Sequence, residues 1–137
     1  MQLGVLTRDA RLDAIETLIG TAPIMELRTG SPPANCAAAP TGSLLSRDAL
    51  PSDWLAAAAS GSKAKAGTWT LTGLAGIATS TIGYFRIIKA GSPDVCEMQG
   101  TVGLTGSPTV DMTVDNTSLA AAQVVTVTSF NLTDGNA

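Results

Sequence analysis

Two pairs of closely spaced carboxylates are the residues of this sequence best suited to chemistry: Asp111 with Asp115, and Asp94 with Glu97. Two positioned carboxylates are what glycoside hydrolysis requires. The first pair alternates with apolar residues in one short run, and that run ends in residue types that favour an Asx turn. We therefore expect these carboxylates to lie on a solvated strand face and in a turn, without a catalytic role.

Histidine is absent from the chain. Its absence removes the Ser-His-Asp and Cys-His arrangements, the commonest general base near neutral pH and the usual zinc ligand sets. The glycine-rich stretches lack the lysine or helix that a phosphate cradle needs, and the twelve-residue calcium loop is missing. We therefore expect a protein that is not an enzyme and that has no cofactor and no metal site.

The two cysteines, Cys36 and Cys96, are 60 positions apart and lie among small or turn-forming residues. If the fold brings them together, they could form a disulfide or pack as two free thiols. A bacterial cytosol keeps thiols reduced, so a bridge would form only after release into oxidising surroundings. Both interpretations stay open from the sequence.

The composition limits the class of partner. The chain has 137 residues, of which 14% are charged, and a formal net charge of −3. Nucleic-acid binding needs clustered positive charge, and a membrane span needs about 18 consecutive apolar residues, so we expect neither partner. Thr and Ser supply 29 residues. A chain of this length forms a single core. A surface with many hydroxyl groups and few charges is typical of a protein that contacts other subunits.

The amino-terminal part, residues 1–22, is predicted to be a docking element made of an arm and a helix. Residues 1–6 are too short and too interrupted by glycine to form a core, so they are predicted to be the arm. A helix follows from a cap at Thr7 to Gly20, with its acidic residues on a solvated face. Its apolar stripe has helical spacing and consists of Leu12, Ile15, Leu18 and Ile19.

Residues 23–137 alternate as short strands separated by Gly, Pro, Ser and Asp, which predicts an antiparallel β-sandwich, jelly-roll-like in topology. The last strand, 124–132, has no purely polar face, so it is predicted to be central or covered on both sides. Its alternation places Val125 and Val127 on one face and Phe130 on the other. Ser52 or Asp53 is expected to cap one or two helical turns in the alanine run that follows.

Tryptophan and tyrosine are rare in this chain, and core packing is the default prediction for them. Trp54 has an alternative role as an anchor at a subunit interface, because tryptophan is enriched at interface centres. Trp69 or Tyr84, if exposed, could supply the aromatic platform of a sugar site.

Nine short motifs are spread over nearly the whole chain: TRDARLDAIET at 7–17, IGTAP at 19–23, RTG at 28–30, PPANCAA at 32–38, PSDW at 51–54, GTW at 67–69, CEMQGTV at 96–102, DNTS at 115–118 and LTDGNA at 132–137. With these motifs the chain resembles a family of small virion structural proteins of tailed bacteriophages and prophages. One departure is the run 120–123, where a glycine is expected before the glutamine. The resemblance brings no catalytic residues.

Together, the residues and the resemblance imply a capsid decoration (minor capsid, cement) protein. We expect a homotrimer made in the cytoplasm of the host bacterium and bound to the major capsid protein on the capsid surface of the virion. The expected contacts are the apolar residues of the arm and helix together with the first tryptophan: Leu3, Val5, Leu6, Leu12, Ile15, Leu18, Ile19 and Trp54. The alternative is a tail, neck or head-fibre module that binds a receptor or a host surface glycan.

Overall fold

The structure, a computed structural model, describes residues 1–135. Within this range one helix precedes ten strands, and the predicted class, mainly β with an amino-terminal helix, is confirmed. The elements are α1 (Val5–Ile19), β1 (Ile24–Arg28), β2 (Leu44–Ala49), β3 (Ser62–Ala64), β4 (Thr70–Thr72), β5 (Ser80–Thr81), β6 (Tyr84–Lys89), β7 (Val95–Leu104), β8 (Met112–Val114), β9 (Ser118–Leu119) and β10 (Val124–Thr133).

Most strands belong to one sheet with the order β2-β1-β6-β7-β8-β10-β3, and β4 pairs with the first half of β10. The pairs are antiparallel, as predicted, except that β7 and β8 are parallel, so the sheet is mixed. Asp111 stabilises the short connection between these two strands, because its carboxylate accepts the Thr101 N–H at 2.7 Å. Gly106, with φ of +90°, allows the chain to turn there.

The sheet curls until β2 and β4 lie side by side. The Leu74 N–H donates to the Leu45 carbonyl at 2.8 Å, and the Thr72 N–H donates to the Asp48 carboxylate at 2.9 Å. The curled sheet therefore encloses an apolar core between facing strands, in a sandwich-like arrangement. This core includes Met25, Leu27, Leu45, Leu71, Phe85, Ile87, Val102, Met112, Val114, Val125 and Val127.

Strand β10 is central, as predicted, but the predicted division of its faces is wrong at Phe130. The register against β8 shifts between Val127 and Ser129. The shift adds one residue to the alternation, so Phe130 joins Val125 and Val127 in the core. There the Phe130 ring packs against Trp69 with ring centroids 5.3 Å apart.

Helix α1 begins earlier than the sequence predicts. Its first residue is Val5, and Gly4 occupies the N-cap position without a side-chain cap, so Thr7 is not the cap. The predicted arm is therefore shorter, because Val5 and Leu6 belong to the helix. Gly20 ends the helix as predicted, with φ of +92° and its N–H bonded to the Glu16 carbonyl.

The alanine run after Trp54 is extended, which contradicts the predicted helical turns. Leu55 forms a bridge with Lys65, and Ala59 forms one with Ser62. An extended chain makes no hydrogen bonds within its own segment, so its N–H groups need partners on neighbouring elements. This segment runs beside α1, and its free N–H groups become the partners of the helix.

Candidate functional site on the amino-terminal helix

The acidic side chains of α1 turn toward the protein's own backbone. Asp9 accepts the Gly61 N–H at 2.6 Å, Asp13 accepts the Ala58 N–H at 3.0 Å, and Glu16 is within 3.4 Å of the Leu55 nitrogen. The prediction of a solvated acidic face is therefore correct only in part: Asp13 is half exposed, but all three carboxylates have partners within the chain. The carboxylates accept the N–H groups of segment 55–61 that do not donate to β3.

Lys63 lies beneath the helix as a buried cation. Its side chain is only 2% exposed, and its Nζ lies 2.7 Å from Asp13 Oδ1 and 3.0 Å from Glu16 Oε2. Burial disfavours the charge of Lys63, but the hydrogen bonds with Asp13 and Glu16 outweigh burial and raise its pKa. The hydrogen bond from Lys63 also lowers the pKa of Asp13. The three groups form a charged clip between α1 and β3.

The two arginines of α1 reach the opposite end of the chain. Arg8 Nη1 donates to the Asp134 carbonyl at 3.1 Å, and Arg11 Nε lies 3.3 Å from the Asp134 carboxylate. The Asp134 N–H in turn donates to the Gly61 carbonyl at 2.9 Å. The helix is thus tied to the segment after β10 as well as to β3.

The inward contacts leave a helix surface without charge at its centre. All five charged residues of α1 have partners within the chain, so the opposite side is made of aliphatic, alanine and threonine side chains. Leu6 is 82% exposed and Leu18 is 59% exposed. We call this surface the outer helix face; it consists of Leu6, Thr7, Ala10, Ala14, Thr17 and Leu18, all exposed.

The structure divides the predicted contact residues into two groups. Leu12, Ile19 and Trp54 are buried in the chain itself, so the prediction that they form an external contact is wrong. Trp54 is fully buried because its ring packs against Trp69 and its Nε1 donates to the Gly20 carbonyl at 3.0 Å.

The remaining contact residues lie nearer the surface. Ile15 is partly buried and packs against the core, and Leu3 is partly buried. Val5, Leu6 and Leu18 are exposed. The predicted stripe fails at Leu18, because residues 12 and 18 are six apart and therefore about 120° from each other around the axis of a helix with 3.6 residues per turn.

A second feature is a cleft of about 560 Å³ on the far side of β1 and β6 from the core. A row of charged side chains crosses its floor, because Glu26 pairs in register with Arg47 on one side and Arg86 on the other. Glu26 forms ion pairs with Arg28 and Arg47. The loop 29–43 covers part of this row.

The two cysteines line the same cleft as free thiols. Arg86 Nε donates to Cys96 Sγ at 3.1 Å, and Arg86 Nη2 donates to the Cys36 carbonyl at 2.6 Å. Burial and a hydrogen bond with Cys96 raise the pKa of the Cys36 thiol to about 11. The fold therefore brings the two cysteines to one cleft, which the disulfide interpretation requires, and both are free thiols.

The carboxylates considered for catalysis accept hydrogen bonds from backbone N–H groups of the chain itself. Asp111 binds the Thr101 N–H, Asp115 accepts the Thr126 N–H at 2.9 Å, and Asp94 accepts the Gly91 N–H at 3.0 Å. The hydrogen bond with Gly91, followed by that with Arg47, lowers the pKa of Asp94. Among residues 1–135, no three Cys, Asp or Glu side chains are grouped so that they could share a metal ion.

The aromatic residues considered for sugar binding are not at the surface. Trp69 and Tyr84 are fully buried. Trp69 Nε1 donates to the Ala66 carbonyl, and the Tyr84 hydroxyl donates to the Thr41 carbonyl at 2.6 Å. Neither ring can stack on a glycan in this fold, so the alternative of a glycan-binding module loses its platform.

Sequence reasoning missed Lys63 and Arg86, the two buried cations around which the helix and the loop 29–43 are organised. A signal for Lys63 exists in the spacing of Asp13 and Glu16, which lie three residues apart and can reach one cation. For Arg86 the signal is its position between the apolar residues of β6, since a charged residue there needs a buried partner.

No protein-family model matches the chain, and no curated protein or solved structure is significantly similar to it. In residues 1–135, no helix has the length and apolar character needed to cross a membrane.

Proposed function

We propose that the protein is a non-enzymatic structural component of a bacteriophage virion, a decoration (cement) protein that binds the outside of the major capsid lattice through the outer helix face. The observation that carries the proposal is the orientation of α1. Its charged side chains all have partners within the protein's own chain, and an uncharged side of the helix faces outward.

Such an orientation suits a helix whose outer side contacts a partner. A helix whose outer side stays in water normally carries its charged residues on that side. Interface cores are depleted of charged residues, because a charge that loses its water without gaining a partner costs several kcal/mol. Covering the outer helix face removes Leu6 and Leu18 from water. The ions that border this surface, Asp13 and Lys89, already have partners within the chain. The polar contacts of the helix are already satisfied within the chain.

The rest of the chain supports a structural role. The carboxylates described above bind backbone N–H groups and cations of the same chain, so their contacts stabilise the fold. The resemblance to small virion proteins extends over nearly all of the sequence. A small subunit strengthens a shell by binding the assembled lattice at many equivalent sites, which stabilises the bound state by mass action. We include the homotrimer in the proposal, because a symmetric oligomer of a small subunit can bind the lattice through several identical contacts at once.

The proposal is tested by placing a charge on the outer helix face. Ala14→Arg and Leu18→Glu keep good helix formers in α1 and leave the clip at Lys63 untouched. We expect binding to preformed capsids that lack this protein to weaken roughly tenfold or more in a co-sedimentation assay, because a charge is buried without a partner. Thr109→Arg, an exposed position outside the helix, is the matched control and should bind as the wild type does.

Wild-type binding by both helix variants, with unchanged circular dichroism, would exclude the outer helix face as the capsid contact. Deleting residues 1–20 is a blunter test than these substitutions. It deletes Leu12 and Ile19, which are buried in the folded chain. It also deletes Asp13 and Glu16, so the buried Lys63 loses both of its carboxylate partners. Loss of binding by the truncated chain would therefore not separate docking from folding.

A further inference from the structure

The loop 29–43 is fixed to the sheet at the place where the two thiols meet. Arg86 on β6 donates to the carbonyls of Cys36 and Ala38 at 2.6 and 3.4 Å. Gln99 on β7 donates to the Pro33 carbonyl at 2.7 Å, and Tyr84 on β6 donates to the Thr41 carbonyl. Side chains of two neighbouring strands thus hold the loop along its length.

Cys96 reaches this site from β7. It pairs in register with Ile88, two residues beyond Arg86 on the neighbouring strand. Its sulfur accepts from Arg86 Nε, and the same guanidinium donates to the Cys36 carbonyl, so one side chain holds both cysteines at the cleft. Both cysteines border the cleft, which is open to solvent and large enough to admit a small thiol reagent.

We propose that Cys36 and Cys96 form an intramolecular disulfide when the protein meets a small disulfide oxidant, and that this bond locks the loop 29–43 onto β7. The inference is independent of the proposed function, because it concerns the isolated chain.

The chemistry is thiol–disulfide exchange with a small disulfide such as oxidised glutathione. The Cys96 thiolate attacks one sulfur of glutathione disulfide, so a mixed disulfide forms and one glutathione thiolate leaves. Cys36 then loses its proton to solvent, and its sulfur attacks Cys96 Sγ, releasing the second glutathione thiolate. Two protein thiols are oxidised by two electrons, and one glutathione disulfide is reduced to two glutathione molecules.

The environment assigns the order of attack. The Cys36 thiol has its pKa raised to about 11 by burial and by Cys96, so it stays protonated at neutral pH. Cys96 has the Arg86 guanidinium as a direct donor. We therefore assign Cys96 as the sulfur that attacks the oxidant and Cys36 as the sulfur that resolves the mixed disulfide. The loop needs little rearrangement for the second step, because Arg86 already holds Cys36 in place.

The experiment treats the purified full-length protein with oxidised glutathione, then alkylates remaining thiols with iodoacetamide and measures the intact mass without reductant. The expected product is a monomer that has lost two hydrogen atoms and carries neither alkyl group nor glutathione. Its thermal midpoint should rise by roughly 10 °C over the reduced protein, since the bond closes a long loop.

Two variants serve as controls. Cys36→Ser retains only the attacking cysteine and should stop at a glutathione adduct, whereas Cys96→Ser should acquire glutathione more slowly. Neither should show the rise in thermal midpoint. Wild-type protein that keeps two alkylated cysteines, carries two glutathione groups or links into dimers would overturn the proposal. A bridged product with an unchanged midpoint would overturn the locking of the loop.

Discussion

The Nζ of Lys63 lies 2.7 Å from Oδ1 of Asp13, although the first residue is on strand β3 and the second is on the helix. This contact determines which side of α1 faces outward. Glu16 adds a second carboxylate at 3.0 Å, and Asp9 binds the Gly61 N–H one turn earlier. The helix is held by charge and hydrogen bonds along one side, so its uncharged side remains on the surface.

Removing both carboxylates of the clip should destabilise the fold. Asp13→Asn with Glu16→Gln keeps the shape of both side chains but leaves the Lys63 ammonium buried without an opposite charge. We expect a lower free energy of unfolding than that of the wild type, measured by urea denaturation, because the Lys63 side chain is only 2% exposed. The exposed ion pair of Arg11 is the comparison, and Arg11→Gln should cost at most about 0.5 kcal/mol. Equal stability of the double variant and the wild type would contradict the role of the clip.

The clip should also make stability depend on pH. The pKa of Asp13 is lowered from its ordinary 3.8 by Lys63, so its contribution is complete above that value and is lost as the pH falls through the folded-state pKa. The pKa of Lys63 is raised from 10.5, so its contribution is complete below that value and is lost as the pH rises through the folded-state pKa. Between these limits the clip is fully charged.

Urea denaturation of the wild type and Asp13→Asn at pH 7, 4 and 3 measures the acid limb of this dependence. The stability difference between the two proteins should be constant down to about pH 4 and shrink below it. A difference that stays the same at the lowest pH would show that ionisation of Asp13 does not stabilise the fold.

Trp54 should behave as a core residue. Its ring is fully buried against Trp69, so Trp54→Ala is expected to cost about 3–5 kcal/mol in the free energy of unfolding, and Trp54→Phe less. Capsid binding by Trp54→Phe, measured on folded protein, should equal that of the wild type. Stable Trp54→Ala protein that no longer binds capsids would instead support a direct contact role for this tryptophan.

Gly83 should not tolerate a side chain. A Cβ at this position would lie 1.9 Å from the Gly30 carbonyl oxygen, and the Gly83 N–H donates to the Arg28 carbonyl. Gly83→Ala therefore has to push β1 and β6 apart at their ends, which we expect to cost about 3 kcal/mol. Both this variant and the control Gly135→Ala are compared with the wild type by thermal denaturation. Gly135→Ala should be neutral, because a Cβ there meets nothing within 4 Å. A neutral Gly83→Ala would contradict the close approach of these two loops.

The sequence predicted the elements of this fold better than their orientation. Alternation of apolar residues identified β1 and β10, and Gly20 identified the end of the helix, because these signals are local. Phe130 was placed on the wrong face since a one-residue register shift reverses alternation and leaves no mark in the residue types.

The candidate surface was only partly predictable for a related reason. The spacing of Leu12 and Ile19 correctly indicated a buried side of α1, but the acidic residues were assigned to solvent because charges usually face water. Their actual partners, the N–H groups of segment 55–61 and Lys63, lie about fifty residues away in the chain. Only the tertiary fold shows that the alanine run is extended beside α1 and that its N–H groups need hydrogen-bond acceptors from the helix.

The most direct measurement of the central claim is the number of copies of this protein in a purified virion, determined by quantitative mass spectrometry against the major capsid protein. A decoration protein on the shell should be present on the order of hundreds of copies, because it occupies equivalent positions across a symmetric lattice. A few dozen copies or fewer would contradict the account and place the protein at the neck, tail or a fibre.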